Sequence, residues 1–420
     1  MISTTIGSNN FKELKALLSS EQKQFIKKIF FPHKKIYDQH DELIFKKKGY
    51  NISITPSVIE LSNGKTLKKY KLNSGFYLGI HHKNPGSGYI DFFKDSIIIL
   101  SARGILAYKN DLLNDVKDFV QIKNNIETFI NSKQYAKSKS FSLKDLSIFD
   151  NKIYISYTEE IKEDCWNTSV IFGEFNLKNI KFKKLFSPKE CLIGASGNQA
   201  GGRIVKFDEE HILLSIGDYQ IRNTPQDKQS VNGKLLRINI KNSDYEIISM
   251  GHRNPQGLLY DKEANIVLET EHGPRGGDEI NLIKINEINK KKILNYGWAI
   301  SSYGEHYGNP KKNVEKYKQF PLYKSHKNYG FIEPLRYFVP SIAISEIVKI
   351  DTKRYAFGSM GTARDGDKSI YFFELDNANE IINFYQLKVF ERVRDLKFNN
   401  NKLYLFMENT ASIGIIDLID

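Results

Sequence analysis

The chain has 420 residues, 40% of them apolar and 26% charged, which suits one large folded domain or two to three average ones and argues against wholesale disorder. No run approaches the roughly 20 apolar residues of a membrane-spanning helix, and two cysteines exclude a disulfide-built scaffold or a cysteine-rich zinc site. Lys and Arg number 62 against 49 Asp and Glu, a net charge of +13; the lysines are dispersed, with no basic block interleaved with aromatics, so the charge is read as solvated surface and no nucleic-acid partner is expected.

The opening stretch, MISTTIGSNNFKELK, shows neither the apolar core nor the cleavage site of a secretory signal. Residues 10–31 have helical periodicity, with Phe11, Leu14, Leu18, Phe25, Ile26 and Ile29 recurring at three- and four-residue steps. Asn10 caps the first turn, with Glu13 at the capping-box position, and Pro32 ends the segment. Lys12, Lys15, Lys23, Lys27 and Lys28 give the helix a basic face. Such a helix either packs on the main domain as a stem or makes peripheral contact with a membrane surface.

After Gly49 the texture changes to short β-rich runs broken by Asn, Gly, Asp and Lys. They include YNISITPSVIEL from Tyr50, SIIILSARGILAY from Ser96, NKIYISYTEE from Asn151, HILLSIGD from His211, KLLRINI from Lys234, NIVLETE from Asn265, SIYFFEL from Ser369 and KLYLFME from Lys402. Several share a form: an apolar pair, a turn, then a strand of about five residues. That recurrence fits propeller blades better than a sandwich. Residues 1–48 are therefore read as an extension with an amphipathic helix, and 49–420 as a single all-β domain.

Chemistry concentrates between Gly251 and Trp298. GHRNPQGLLYD, LETEHGPRGGDEINLI and NYGW place Arg253, Asn254, Gln256, Glu271, His272, Arg275, Asp278 and Glu279 on two Gly/Pro-punctuated loops flanking a strand. Each has an ordinary structural use, such as Asn254 before Pro255 in a turn. Two such loops in succession on a β scaffold point to a site.

These segments resemble the soluble pyrroloquinoline quinone (PQQ)-dependent sugar dehydrogenases, the glucose/sorbosone dehydrogenase family. GHRNPQG, EHGPRGGDEIN and NYGW carry the likeness, supported by GGRIVKFDEEHILLSIGD from Gly201, NGKLLRINI from Asn232 and RVRD at Arg392. The resemblance implies a six-bladed β-propeller, here with an N-terminal helical extension, and a PQQ- and calcium-dependent dehydrogenase that oxidises an aldose or related sugar. It implies that Arg253 and Asn254 line the quinone, that His272 stands where some members place a cofactor-contacting Gln, and that Arg392 and Arg394 hold carboxylates. The carbonyls of Gly273 and Pro274 would bind the calcium ion, whose preference is for oxygen ligands. Asp278 and Glu279 would brace that loop. Members are mostly periplasmic or secreted, which favours a bond between Cys165 and Cys191; the residues alone leave a hairpin disulfide and two buried thiols equally open.

Three departures from the family stand out. Its catalytic His falls on Gln199 here, and a neutral amide is no general base near neutral pH; the Asp that would orient that His is kept as Asp218. The family's cofactor-contacting Lys falls near Gly361, with Arg364 and Lys368 in the longer loop as candidate substitutes. SLKDL at Ser142 stands where members tend to have G-L-L. The alternative function is thus a catalytically impaired propeller that binds PQQ, a glycan or a protein partner.

Overall fold

The computed structural model describes residues 54–72, 87–110, 112, 119–138, 140–288, 293–308, 313–361 and 367–418. The expected helix over residues 10–31, with its membrane-facing option, lies outside the described residues, as does Arg364.

Six antiparallel sheets follow one another along the chain. Blade one comprises Gly88–Phe93, Ser96–Ser101, Leu106–Lys109 and Val120–Gln121. Blade two comprises Leu143–Phe149, Lys152–Lys162, Cys165–Glu174 and Lys183–Phe186. Blade three comprises Gly201–Lys206, His211–Ile216, Lys234–Asn239 and Tyr245–Met250, extended by Leu294–Asn295. Blade four comprises Pro255–Asp261, Ile266–Glu271, Asp278–Lys284 and Arg336–Phe338. Blade five comprises Ile344–Lys349, Arg354–Ser359, Ser369–Leu375 and Ile381–Lys388. Blade six comprises Val393–Asn399, Lys402–Met407 and Ser412–Asp417, completed by Thr66–Leu72 and Ile54–Glu60 from the other end of the chain. The result is the expected six-bladed β-propeller.

The second strand of a blade is covered on both faces by neighbouring blades, so it reads as a continuous apolar run rather than an alternating one. Ser96–Ser101 and Ile266–Glu271 are buried at every position. The outermost strand Ile381–Lys388 is mostly exposed. Leu213, Leu235, Leu258, Val267 and Ile283 join blades three and four; Leu67, Ala356, Ile370, Leu396, Leu405 and Ile416 join blades five and six.

The first strand of each blade faces the axis, and its free edge carries backbone groups that no strand of the next blade pairs. Buried backbone groups need partners, and polar side chains supply them at all six junctions. Asp91 Oδ2 accepts from Ile148 N at 2.6 Å, and Asp145 Oδ2 from Ile204 N at 2.7 Å. Arg203 Nε donates to Gln256 O at 2.6 Å. Glu346 Oε1 accepts from Leu258 N at 3.1 Å, Ser345 Oγ donates to Val393 O at 2.6 Å, and Asp395 Oδ2 accepts from Ile90 N at 2.7 Å. At the centre, Arg203 Nη1 meets Asp145, Glu346 and Asp395 at 3.0, 2.8 and 2.7 Å. Its side chain is 4% exposed, so removing it would take from three buried carboxylates the guanidinium they share and leave the buried Lys397 to offset them.

Cys165 and Cys191 form a disulfide. Cys165 opens the third strand of blade two, and the chain after Cys191 returns beside it, with Leu192–Ile193 pairing Cys165 and Trp166.

Candidate functional site

A cavity of about 960 Å³ opens where the axial strands begin. Tyr89, Lys144, Arg203, Gln256 and Arg394 each reach it from the start of a different axial strand, and the loops 197–201, 272–276 and 339–343 form its walls. Five of the six axial strands carry a register shift near their starts, and such bulges re-aim side chains.

The GHRNPQG turn is fixed from below. Glu271 Oε2 accepts from the backbone N–H groups of Arg253 and Asn254 at 2.5 and 3.3 Å. The Arg253 guanidinium lies over the Trp298 ring, 5.4 Å from its centroid. Its Nη1 donates to the carbonyls of His272 and Gly273 at 2.8 and 2.6 Å, while its buried Nε has no partner.

The EHGPRGGDE loop doubles back so tightly that a Cβ on Gly273 would lie 2.0 Å from the Gly277 carbonyl oxygen. Asp278 braces it: Oδ1 accepts from Gly273 N at 3.0 Å, and Oδ2 from Ala343 N at 2.6 Å. Glu279 instead pairs with His326 at 3.1 Å. The Pro274 carbonyl accepts from the Tyr307 hydroxyl at 2.9 Å. His272 Nε2 donates to Ile344 O at 2.6 Å, which leaves Nδ1 as an acceptor toward Asn254 Nδ2 at 3.4 Å. Burial, helped by Arg253 and Arg394, lowers the His272 pKa to about 4, so the ring is neutral at physiological pH.

Gln199 sits at the wall. Its amide nitrogen donates to Asp218 Oδ1 at 2.7 Å and its oxygen accepts from Arg253 Nη2 at 2.6 Å. Asp218 does not line the cavity; it is fully buried behind Gln199, with Oδ2 accepting from Trp298 Nε1 at 2.8 Å. Burial raises its pKa to about 6, against the lowering effect of Arg253.

Across the cavity one carboxylate serves two guanidiniums. Glu408 Oε2 accepts from Arg392 Nε at 2.8 Å, and Oε1 from Arg394 Nη2 at 2.9 Å. Arg392 Nη1 also donates to Met360 O at 2.9 Å, and Arg394 Nη1 to Gln256 Oε1 at 3.0 Å.

The residues singled out from sequence thus converge: Gln199, Arg253, Asn254, His272, Gly273, Pro274, Arg392 and Arg394 line one cavity, with Asp218 one layer behind. Lys368 is not among the lining residues. Sequence reasoning missed Tyr89, Lys144, Arg203 and Tyr307. SLKDL was noted as a departure, and its Lys144 proves to face the cavity. Lys144, Arg203, Arg253, Arg275, Arg392 and Arg394 stand against a single lining carboxylate, Glu305.

Fold and site together define a β-propeller with an axial pocket arranged to receive an anionic ligand. Residues 145–415 match the glucose/sorbosone dehydrogenase family, and the chain belongs to that family. The aldose sugar dehydrogenase YliI of Escherichia coli is 30% identical over 220 residues, 49% of this chain and 55% of that protein. The quinoprotein glucose dehydrogenase B of Acinetobacter calcoaceticus is 32% identical over 146 residues, 27% of this chain and 29% of that one. The chain thus spans about half the length of the first and under a third of the second. In fold, it is similar to the crystal structure of the soluble aldose sugar dehydrogenase from Escherichia coli in its apo-form, with a TM-score of 0.61 at 21% identity over 87% of this chain and 99% of that one.

Proposed function

We propose that the protein oxidises an aldose or related sugar with PQQ as cofactor and calcium as its companion ion. The observation that carries this reading is the set of five guanidiniums lining the axial pocket, Arg203, Arg253, Arg275, Arg392 and Arg394, against a single lining carboxylate. PQQ is a flat ortho-quinone with three carboxylates, and guanidiniums recognise carboxylates in bidentate fashion. In this reading Arg392 and Arg394 hold cofactor carboxylates, and Arg253, Asn254 and His272 lie along the quinone. The unpartnered Nε of Arg253 is a buried donor that an anionic ligand would satisfy. When bound, the cofactor supplies the hydride acceptor and calcium a Lewis acid.

The calcium ligands would be the carbonyls of Gly273 and Pro274. Each already accepts one hydrogen bond and keeps a second lone pair. Neither brings a charge, so the ion would bind in company with the anionic cofactor rather than ahead of it. The disulfide supports an oxidising compartment such as the periplasm.

The test is titration of the protein with PQQ, with and without calcium, followed by dye reduction against a panel of aldoses. Calcium-dependent PQQ binding and sugar-dependent dye reduction are expected; failure to bind PQQ would sink the reading. A second reading, a propeller that binds its ligand without turning over sugar, is favoured by Gln199. PQQ binding without dye reduction by any sugar would select it.

A further inference from the structure

Lys144 is the lysine that lines the cavity, and its amine is held by carbonyls rather than by a carboxylate. Its Nζ donates to Ser140 O at 2.6 Å and to Gly197 O at 3.0 Å. Gly197 lies two residues before Gln199 on the same wall of the cavity. Lys234, a second deeply buried lysine with carbonyl partners, is different. Its Nζ donates to the carbonyls of Thr224, Pro225 and Asn232 at 2.7, 3.1 and 2.8 Å, which satisfies all three hydrogens of an ammonium. Lys234 is a structural lysine; burial lowers its pKa to about 7, as it does that of Lys144, so the donor geometry is what separates the two. Lys144 has two carbonyls, enough for the two hydrogens of a neutral amine, with its third tetrahedral direction left over in a residue that lines the cavity.

The position is also built. Gly202 has φ +114, and a Cβ there would lie 2.4 Å from Cβ of Lys144, so the missing side chain makes room for the lysine stem.

We propose that Lys144 is the proton acceptor of the sugar oxidation, doing from the second blade what Gln199 cannot do from the wall. This rests on the dehydrogenase reading above. In the step, the substrate hydroxyl gives its proton to the Nζ lone pair while its carbon gives up hydride to the ortho-quinone oxidant. The C–H and O–H bonds break, the alcohol becomes a carbonyl, two electrons leave with the hydride, and Lys144 ends as an ammonium.

Burial, with a smaller contribution from Arg394, lowers the Lys144 pKa to about 7, so the free amine is available near neutrality. The charged and titratable groups on the surrounding axial strands are Tyr89 and Asp91 on blade one, Arg203 and Lys206 on blade three, and Arg394, Asp395 and Lys397 on blade six; Lys206 is paired with Asp150 and Glu209. On its own strand, Asp145 is committed to Arg203.

The experiment has two arms. In the first, acetic anhydride labels the cofactor-free protein across pH, and the modified Lys144 peptide is quantified by mass spectrometry. A labelling midpoint near neutrality is expected; a midpoint near that of surface lysines, about 10, overturns the proposal. In the second, Lys144→Met and Lys144→Arg are compared with wild type for PQQ affinity and for sugar-dependent dye reduction across pH. Both variants should lose about 10² to 10⁴-fold in turnover, bind PQQ within about threefold of wild type, and lack the wild-type acid limb in the neutral range. Full turnover in Lys144→Met, or restoration by Lys144→Arg together with a PQQ affinity that follows the charge, would make Lys144 an anion anchor and overturn its role as base. PQQ binding by wild type with no turnover also overturns it. Failure of wild type to bind PQQ would instead remove the dehydrogenase reading, and this role with it.

Discussion

Replacing Glu408 by Gln tests the electrostatics of the carboxylate-binding wall. Glu408 is 1% exposed and sits between Arg392 and Arg394. Burial alone would raise its pKa; Arg394 and then Arg392 overcome that and hold it at about 2, against an ordinary 4.5. A gap of that size corresponds to about 3 kcal/mol of native-state stability at pH 7. The folded pKa is depressed, so this contribution is present above pH 4.5 and is lost as pH falls toward 2. At pH 3.5 about 2 kcal/mol should remain. Urea denaturation of wild type and Glu408→Gln at pH 7 and pH 3.5 measures both values. The variant should be less stable by about 3 kcal/mol at pH 7, with the difference narrowing at pH 3.5. A loss under about 1 kcal/mol at pH 7, or a difference that does not shrink with acid, would refute the idea that this buried carboxylate is the counter-ion of both arginines.

Gly202→Ala should cost at least about 2 kcal/mol, because an L side chain at φ +114 is strained and its Cβ would overlap the Lys144 stem; thermal denaturation checks it, and a change within about 0.5 kcal/mol would contradict the packing described. Replacing Cys165 and Cys191 together by Ser opens a loop with a sequence separation of 26, and the chain-entropy relation gives a loss of about 3.5 kcal/mol, readable as a lower urea midpoint. A chelator should lower the melting temperature of the PQQ-loaded protein and leave the cofactor-free protein unchanged, since two neutral carbonyls alone hold calcium weakly and only a bound ion stabilises by mass action. An equal effect on both forms would show that the ion binds without the cofactor.

Strands were legible because a blade interior favours short apolar runs, such as IIIL within SIIILS and IVL at the start of IVLETE. The cavity loops were legible through their glycines and dense polar residues, and through the family likeness of GHRNPQG and EHGPRGGDE. The axial ring was not legible. Asp91, Asp145, Glu346 and Asp395 sit in strands where, read singly, they pass for solvent-facing positions. Only closure of all six blades turns those positions inward and sets Arg203 among them. Lys144 was hidden for the same reason: its partners Ser140 and Gly197 are separated by more than fifty positions, and the glycine that makes room for it lies on the next blade.

The strand that seals the ring imposes a schedule on synthesis. Thr66–Leu72 emerges early from the ribosome, yet its partner in blade six, Ser412–Asp417, is made about 340 residues later. At roughly 5 to 20 residues per second that is an interval of roughly 20 to 70 seconds. During it, the early strand keeps an unpaired edge with the apolar Leu67 and Leu72, both buried in the finished fold. Unpaired edges invite association with other chains. The waiting strand also carries Lys68, Lys69 and Lys71, and lysines on an edge are a recognised deterrent to such pairing. Part of the protein's positive charge thus lies where a nascent chain is exposed longest.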